Sequence, residues 1–334
     1  RSTPMRVIDR ATGREITDRN SLDAAAEIAP GAFRLVCYEW GITYGAMLEL
    51  SDATGDPRYR SYPFQRLQFL SEWEPYFRDV FKHLIPADRR RLAFRGIVQP
   101  RNLDDAGSLC AAMIKATRAG FESNLQPLID RFIDYIRHRQ FRLDDGTFAR
   151  NRPVPRSLWI DDLYMSVPAL AQMAVLTGDE SLLGEAVRQI EGFASRMFDP
   201  ELGLYCHGWV EKMQEHPQFR WGRSNGWALL AKVELLDLLP SDHQARAYVL
   251  DLLRKHVRGI VEFQSGQGRW HQLLDRNDSY LETSCTAIFV YCMARAINRG
   301  WIDALAHGPA VLLGWNALAA QINDTGQIEG TCVG

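Results

Sequence analysis

Acidic, imidazole and guanidinium groups stand beside aromatic residues at several points of this sequence. Two adjacent aspartates, Asp161 and Asp162, follow a tryptophan, His207 lies in a Tyr-Cys-His-Gly-Trp run, and Arg223 stands between two tryptophans. Carboxylates and histidines serve as general acids and bases. The guanidinium fork of an arginine binds a carboxylate through two parallel hydrogen bonds. These residue types predict acid–base chemistry on a ligand that carries a carboxylate.

Each of these residues also has a structural interpretation. A pair of aspartates at a helix start is typical of capping, which applies to Asp161-Asp162 and equally to Asp104-Asp105. A lone histidine is often packed in a core, and an arginine beside tryptophans often stacks on one of them. The residues taken singly leave both interpretations open.

The wider pattern is a repeat. An aromatic or apolar residue, a polar pair and an apolar helical run occur together five times, starting at Trp40, Leu103, Trp159, Trp221 and Tyr280. The starts are about 60 residues apart, and a fixed period indicates a repeat architecture. If successive helix pairs pack side by side, their first helices begin at the same end. The polar residues at these starts are then predicted to converge around one mouth: Asp105, Asp161, Arg223 and Glu282.

Apolar residues at helical spacing predict an all-α fold of antiparallel helix pairs. The predicted helical stretches are 21–35 (interrupted by Pro30 and Gly31), 41–51, 60–81 in pieces, 109–116, 125–139, 160–197, 225–263 and 283–322. No regular element is predicted for 1–20, and 82–102 is interpreted as a connection. Few stretches alternate with a period of two, so strand content should be low. An open solenoid and a closed ring both fit the repeat.

Two connections carry further expectations. Ser241 or Asp242 is predicted to cap the second helix of the 225–263 pair. The loop of about 24 residues that contains 203–211 is longer than a simple connector, and long ordered loops in compact domains are often functional. His207 lies in this loop.

Composition limits the classes of function. The net charge of −2 gives no reason to expect nucleic acid or a membrane surface as a partner. Nine tryptophans and eleven tyrosines suit the stacking of sugars, and they suit a large helical core equally well. There is no phosphate-binding loop, no dinucleotide fingerprint and no zinc-protease motif. No metal or other cofactor is therefore predicted, and the oligomeric state stays open.

The cysteines and the apolar runs bear on location. Six cysteines are scattered without metal-ligand spacing, so buried free thiols are expected. No apolar run approaches the roughly 18 residues that a membrane span requires. The cytoplasm is the predicted location, with a periplasmic or secreted location as the alternative if a signal peptide has been removed.

Four motifs in register resemble a known family. The runs Trp-Ile-Asp-Asp-Leu-Tyr-Met at 159–165, Leu-Tyr-Cys-His-Gly-Trp at 204–209, Trp-Gly-Arg-Ser-Asn-Gly-Trp at 221–227 and Glu-Thr-Ser-Cys-Thr-Ala at 282–287 are similar to glycoside hydrolase family 105, the unsaturated rhamnogalacturonyl hydrolases. The related family 88, the unsaturated glucuronyl hydrolases, is a more distant likeness. The resemblance implies a single catalytic domain over 1–334, built as an (α/α)6 toroid. It also implies cleavage of a terminal 4,5-unsaturated uronic acid from an oligosaccharide left by a polysaccharide lyase.

The resemblance assigns roles by motif position. It implies that Asp161 is the acid/base, that Asp105 is a second catalytic aspartate with Asp104 as its rival, and that His207 and Arg223 contact the uronate. The aromatic residues expected to bind the substrate are Trp40, Trp159, Tyr164, Trp209, Trp221 and Trp227. Two positions depart from the family: Asp162 stands where a threonine is usual, and members usually continue into one more helix after 330–334. The toroid is therefore expected to be incomplete at the C-terminus, or closed imperfectly.

The mechanism implied is hydration of a vinyl ether. Asp161 protonates C4, water adds at C5, and the hemiketal collapses to release the sugar. One rival is an inverting glycosidase that uses Asp105 and Asp161 on opposite sides of the glycosidic bond. Another is a helical-repeat module that binds a saccharide without turnover, and a sugar epimerase is a weaker third. The parent polysaccharide and the sugar that follows the uronate stay open.

Overall fold

Antiparallel helix pairs form most of the chain. The computed structural model describes residues 5–29 and 37–333. In chain order the helices are α1 (Tyr38–Thr54), α2 (Pro57–His83), α3 (Pro86–Arg89), α4 (Arg95–Val98), α5 (Leu103–Arg118), α6 (Gln126–Asp134), α7 (Val167–Thr177), α8 (Ser181–Met197), α9 (Gly222–Leu238), α10 (Arg246–Glu262), α11 (Thr283–Asn298) and α12 (Ala304–Ala319). The predicted pairs are confirmed as α1–α2, α5–α6, α9–α10 and α11–α12, and α7 and α8 follow each other in the chain across a short turn.

Short two-stranded ribbons join the helices. All are antiparallel: β1 (Val7–Asp9) with β2 (Ala26–Ile28), β3 (Ser157–Trp159) with β6 (Gly208–Val210), β4 (Phe198–Asp199) with β5 (Leu204–Tyr205), and β7 (Trp270–His271) with β8 (Leu281–Glu282). Each strand has two or three residues. The prediction of low strand content is confirmed, and the ribbons β3–β6 and β7–β8 lead directly into helix starts.

One compact unit comprises Arg1–Gln140 with Leu176–Gly178. In this unit α1 packs against both α2 and α5. Gly41 is what permits the approach of α1 to α5, because a Cβ at this position would lie 2.5 Å from the backbone carbon of Ser108. The first helices of two successive pairs therefore lie side by side, as the repeat predicts.

A second compact unit comprises Phe141–Val175 and Asp179–Gly334. Its helix α9 packs against α10 and α11. Gly222 and Gly226, one turn apart on α9, face α11: a Cβ would lie 2.8 Å from Cys285 Sγ at the first position and 3.1 Å from Ile288 Cδ1 at the second. Small residues thus bring the first helices of two further pairs together. The prediction of a single catalytic domain over 1–334 stays a prediction.

The N-terminal helix prediction is wrong where the structure describes it. Arg19–Ser21 is a single 3-10 turn, and Ala26–Ile28 is strand β2, paired with β1 inside the stretch expected to lack regular structure. Cross-strand pairing decides the backbone here, because Ala26, Glu27 and Ile28 pair with Asp9, Ile8 and Val7 and this tertiary contact outweighs helix propensity. The remainder of that prediction, 30–35, lies outside the described residues.

Three other boundaries differ from the predictions. The 60–81 stretch belongs to one continuous helix, α2, despite Pro63 and Pro75, because burial of its apolar face outweighs the loss of two backbone donors. The connection 82–102 contains the short helices α3 and α4. Neither Ser241 nor Asp242 caps α10, because the helix begins later and Ala245 occupies the cap position.

The state of the cysteines and the lengths of the helices agree with the predictions made from the sequence. All six cysteines, which lie within the described residues, are free, and five of them are buried, while Cys332 is half-buried. Across 5–29 and 37–333, every helix is too short or too polar to cross a membrane.

Candidate active site

Asp161 lies on one turn of 3-10 helix, Ile160–Leu163, directly after strand β3. Its Oδ2 atom is 3.2 Å from Nδ1 of His207, and the two side chains are 14% and 27% exposed. The contact lacks the angles of a hydrogen bond, and neither atom has another hydrogen-bond partner among the residues described. Both atoms are nevertheless closed off from solvent. A carboxylate and an imidazole this close to each other can act as an acid–base pair.

Asp162 has a different environment from its neighbour. It is completely buried, and Arg150 donates to both of its oxygens, Nε to Oδ2 at 3.0 Å and Nη2 to Oδ1 at 2.8 Å. Burial raises the pKa of the Asp162 carboxyl, and the Arg150 guanidinium opposes that effect. Successive residues of a 3-10 helix point about 120° apart. The two aspartates therefore point in different directions, Asp161 towards His207 and Asp162 towards Arg150.

His207 is held by backbone contacts on both sides. Its carbonyl accepts a hydrogen bond from Ile160 N at 3.1 Å, and its N–H donates to Phe219 O at 2.8 Å. Its ring lies between two indoles, with centroids 5.7 Å from Trp159 and 5.0 Å, edge to face, from Trp221. The long loop is thus an ordered ribbon that delivers the imidazole to Asp161.

Arg223 is 7% exposed and lies over Trp221, with its Cζ 4.5 Å from the ring centroid. Its Nη1 donates to Cys332 O at 2.8 Å and contacts Cys332 Sγ at 2.6 Å and Ser284 Oγ at 3.5 Å. No described residue accepts a hydrogen bond from its Nε or Nη2. Stacking of Arg223 on Trp221 is compatible with binding of a carboxylate, because Nε and Nη2 of the guanidinium remain available to a ligand.

Glu282 does not present its carboxylate to the site, contrary to the predicted convergence. It is completely buried and caps α11, accepting hydrogen bonds from Ser284 N, Cys285 N and Cys332 N at 2.7–2.9 Å. Burial alone would raise the pKa of Glu282, but the hydrogen bonds from Cys285, Ser284 and Cys332 lower it. Its role is to hold the start of α11 and the Cys332 segment beside Arg223.

Three aromatic residues that were predicted to bind the substrate pack against other protein groups in this unit. Tyr164 and Trp227 stack on each other with centroids 5.3 Å apart, and both are buried, so their faces are already covered. Trp209 pairs with Leu158 while Trp159 pairs with Gly208. Side chains alternate across a ribbon, so Trp209 lies on the face opposite Trp159, next to His216 and Arg196. The role of these three residues in substrate binding stays a prediction.

Asp105 and Trp40 belong to the other unit. Asp105 Oδ1 accepts the backbone N–H of Tyr38 at 3.1 Å, which ties the starts of α1 and α5 together. Trp40 packs against Tyr44 and Tyr62. Asp104 accepts a hydrogen bond from Ser108 Oγ through its carbonyl. The predicted approach of Asp105 and Trp40 to Asp161 stays a prediction.

Sequence reasoning missed Arg150, Ser284 and Cys332. Arg150 has no local signal, because its pairing with Asp162 depends on a turn of the chain. Ser284 and Cys332 reach Arg223 only through the fold. Within 5–29 and 37–333, no group of three or more potential ligands could hold a metal ion.

Paired helices, with an acid, an imidazole and a guanidinium close together on the turns and ribbon that join them, are features of helical glycoside hydrolases. Residues 5–334 match Glycosyl Hydrolase Family 88, and the chain belongs to this family. The resemblance inferred from the four motifs is thereby confirmed.

The individual relatives have low sequence identity to this chain. The unsaturated rhamnogalacturonyl hydrolase YesR of Bacillus subtilis is 31% identical over 160 residues, which cover 46% of this chain and 46% of that protein. The chain spans about half the length of the curated relatives it matches. These proteins support a family relationship.

Solved structures show the fold. A possible member of the GH105 family from Salmonella enterica superposes with a TM-score of 0.75 at 22% identity, over 94% of this chain and 78% of that one. The unsaturated glucuronyl hydrolase of Bacillus sp. GL1, described as responsible for the degradation of glycosaminoglycan, gives 0.63 at 16% identity, over 90% and 80%. The prediction of an all-α fold, of the helical-toroid class found in this family, is confirmed.

Proposed function

We propose that this chain removes a terminal 4,5-unsaturated uronic acid, galacturonyl or glucuronyl, from oligosaccharides produced by polysaccharide lyases. The observation that carries the proposal is the row formed by Asp161, His207, Trp221 and Arg223. Asp161 Oδ2 lies 3.2 Å from His207 Nδ1, His207 packs on the Trp221 ring, and Arg223 covers the same ring. This row supports the assignment of an acid and a carboxylate clamp near one indole.

The carboxylate of the sugar is the group that Arg223 recognises. Its Nη1 is already fixed by Cys332 O at 2.8 Å, so the guanidinium plane cannot rotate freely. The remaining Nε and Nη2 can then form a bidentate pair with the uronate. A preorganised fork loses little entropy on binding, which favours this use of arginine over lysine.

Asp161 supplies the proton. The C4=C5 bond of the sugar is a vinyl ether, and transfer of a proton from Asp161 to C4 leaves positive charge shared by C5 and the ring oxygen. Water adds at C5 and returns a proton to the carboxylate, and His207 lies where it can relay that proton. The hemiketal opens to a ketone at C5, the hemiacetal at C1 collapses, and the oligosaccharide leaves with a free hydroxyl. One water is consumed. Asp105 and Trp40 enter this proposal through the family resemblance alone.

The test follows the ultraviolet absorbance of the conjugated double bond in lyase-generated oligosaccharides. Wild-type protein should remove the absorbance, and Asp161→Asn should lower the rate about 100-fold or more while leaving the fold intact. Asp242→Asn, an exposed aspartate far along the chain, is the matched control and should act as wild type. Reducing sugar released from saturated substrates, with the absorbance unchanged, would establish the inverting glycosidase. Binding without turnover would establish the saccharide-binding module.

We also propose a cytoplasmic location. Six free cysteines suit a reducing compartment better than an oxidising one. Fractionation of cells that express the full-length protein tests this, and recovery from the periplasm or medium would refute it.

A further inference from the structure

A buried amide joins the two segments that carry the site. Asn225, in the first turn of α9, is completely buried. Its Oδ1 accepts the backbone N–H of Tyr205 at 2.8 Å, and its Nδ2 donates to the carbonyls of Tyr205 and Trp221, both at 3.0 Å. One side chain therefore clamps both backbone groups of Tyr205 to the N-terminus of α9.

The clamp sets the distance between two site residues. His207 follows Tyr205 by two positions, and Trp221 is itself held through its carbonyl. The His207 ring meets the Trp221 ring edge to face at 5.0 Å and faces Asp161 Oδ2 at 3.2 Å. A shift of Tyr205 relative to α9 would therefore move the imidazole away from both.

His256 on α10 fixes the orientation of the amide. Its Nε2 lies 3.1 Å from Asn225 Oδ1. That oxygen already accepts the Tyr205 N–H, and the amide nitrogen faces two carbonyls, so His256 must carry its proton on Nε2 and donate it. The ring is completely buried and packs edge to face against Tyr205 with centroids 5.1 Å apart. Its Nδ1 has no hydrogen-bond partner in the described part of the chain.

We propose that Asn225 and His256 are positioning residues that hold His207 between Trp221 and Asp161. Neither side chain touches the mouth itself. His256 locks the amide of Asn225, the amide holds Tyr205, and Tyr205 delivers His207. The catalytic meaning of this arrangement rests on the function proposed above, whereas the arrangement itself can be measured without substrate.

The first experiment reads the position of His207 directly. In full-length protein with isotope-labelled histidine, the ring resonances of His207 are identified by their loss in His207→Asn. The two flanking indoles should shift them from ordinary histidine positions. His256→Phe keeps the ring and removes the donor, so the His207 resonances should move towards ordinary positions. His256→Gln restores a donor at the position of Nε2 and should bring them back towards the wild-type values.

A control separates positioning from loss of packing. Val257→Ala, the next residue on α10 and also completely buried, should lower the melting temperature yet leave the His207 resonances unchanged. With lyase products as substrate, His256→Phe should lower kcat/KM about tenfold or more, because small misplacements of reacting groups are costly. Val257→Ala should not.

The outcomes distinguish this proposal from the proposed function. Folded His256→Phe protein with wild-type His207 resonances would overturn the positioning role, whatever the activity. Suppose that the wild-type protein consumes no unsaturated oligosaccharide, but that the His207 resonances still change with the hydrogen-bond donor at position 256. This result would overturn the proposed function and support the positioning role.

Discussion

At the scale of single residues, two arginines show how similar contacts serve different ends. Arg150 lies over Trp159 with its Cζ 4.2 Å from the ring, and Arg223 lies over Trp221 at 4.5 Å. Arg150 gives both arms of its fork to the buried Asp162. Among the residues described, Arg223 forms hydrogen bonds through Nη1 alone. The first arginine is therefore structural, and the second is available to a ligand.

Arg223→Lys tests that difference. A lysine keeps the charge but has no planar fork, so one hydrogen bond to the uronate should be lost. We expect KM for unsaturated oligosaccharides to rise about tenfold or more, corresponding to roughly 1.4 kcal/mol, with a smaller change in kcat. Steady-state kinetics measures both constants. Arg276→Lys, at an exposed ion pair with Asp278, is the control, and an unchanged KM in Arg223→Lys would exclude the clamp.

At the scale of elements, the start of α11 organises the rim of the site. Glu282 ends β8 and caps the helix through Ser284 N and Cys285 N. The same carboxylate accepts the N–H of Cys332 at 2.9 Å, and Cys332 O in turn fixes Arg223. One buried cap therefore couples a helix start to the orientation of the guanidinium.

Glu282→Gln should destabilise the protein in a pH-dependent manner. The folded-state pKa of Glu282 is lowered, so ionisation stabilises the fold above the ordinary glutamate value and this contribution is lost as pH falls through the folded-state value. We expect a loss of about 1–3 kcal/mol in the free energy of unfolding at pH 7. The difference should shrink below about pH 4. Urea unfolding across this range measures it, and a difference independent of pH would contradict the assignment.

At the scale of the whole molecule, we expect one buried amine to make the free energy of unfolding increase as the pH rises. Lys232 is completely buried, and its Nζ donates to Ala228 O at 2.8 Å. Burial lowers the pKa of Lys232 well below its ordinary value. The unfolded chain then binds a proton that the folded protein does not, so stability should rise with pH up to about 10.

Lys232→Met should remove this dependence. The variant buries a chain of similar volume without the cost of deprotonating an amine on folding. Its Tm should exceed that of the wild type by at least about 2 °C near pH 6. The advantage should diminish towards pH 10, where the wild-type amine is neutral in both states. Calorimetry at several pH values checks this, and equal slopes for the two proteins would show that Lys232 is charged when folded.

The helical part of the fold could be predicted from the sequence. Apolar periodicity is a local property, so the helix pairs and the equal phase of their starts are visible in the sequence. The ribbons were not visible, because strands of two or three residues depend on cross-strand partners that lie far away in the chain. The prediction that 60–81 is helical only in pieces failed for the same reason, since the packing of α2 is a tertiary effect.

The sequence by itself determined which residues could do chemistry, because Asp161 and Arg223 stand at the same phase of the repeat and His207 lies in an unusually long loop. Only the tertiary structure decided which aspartate faces His207, since that depends on the 3-10 turn and on Arg150. It alone revealed the support from Asn225 and His256, which are 31 residues apart. Side-chain hydrogen bonds across such separations follow from how helices pack, and no local pattern encodes them.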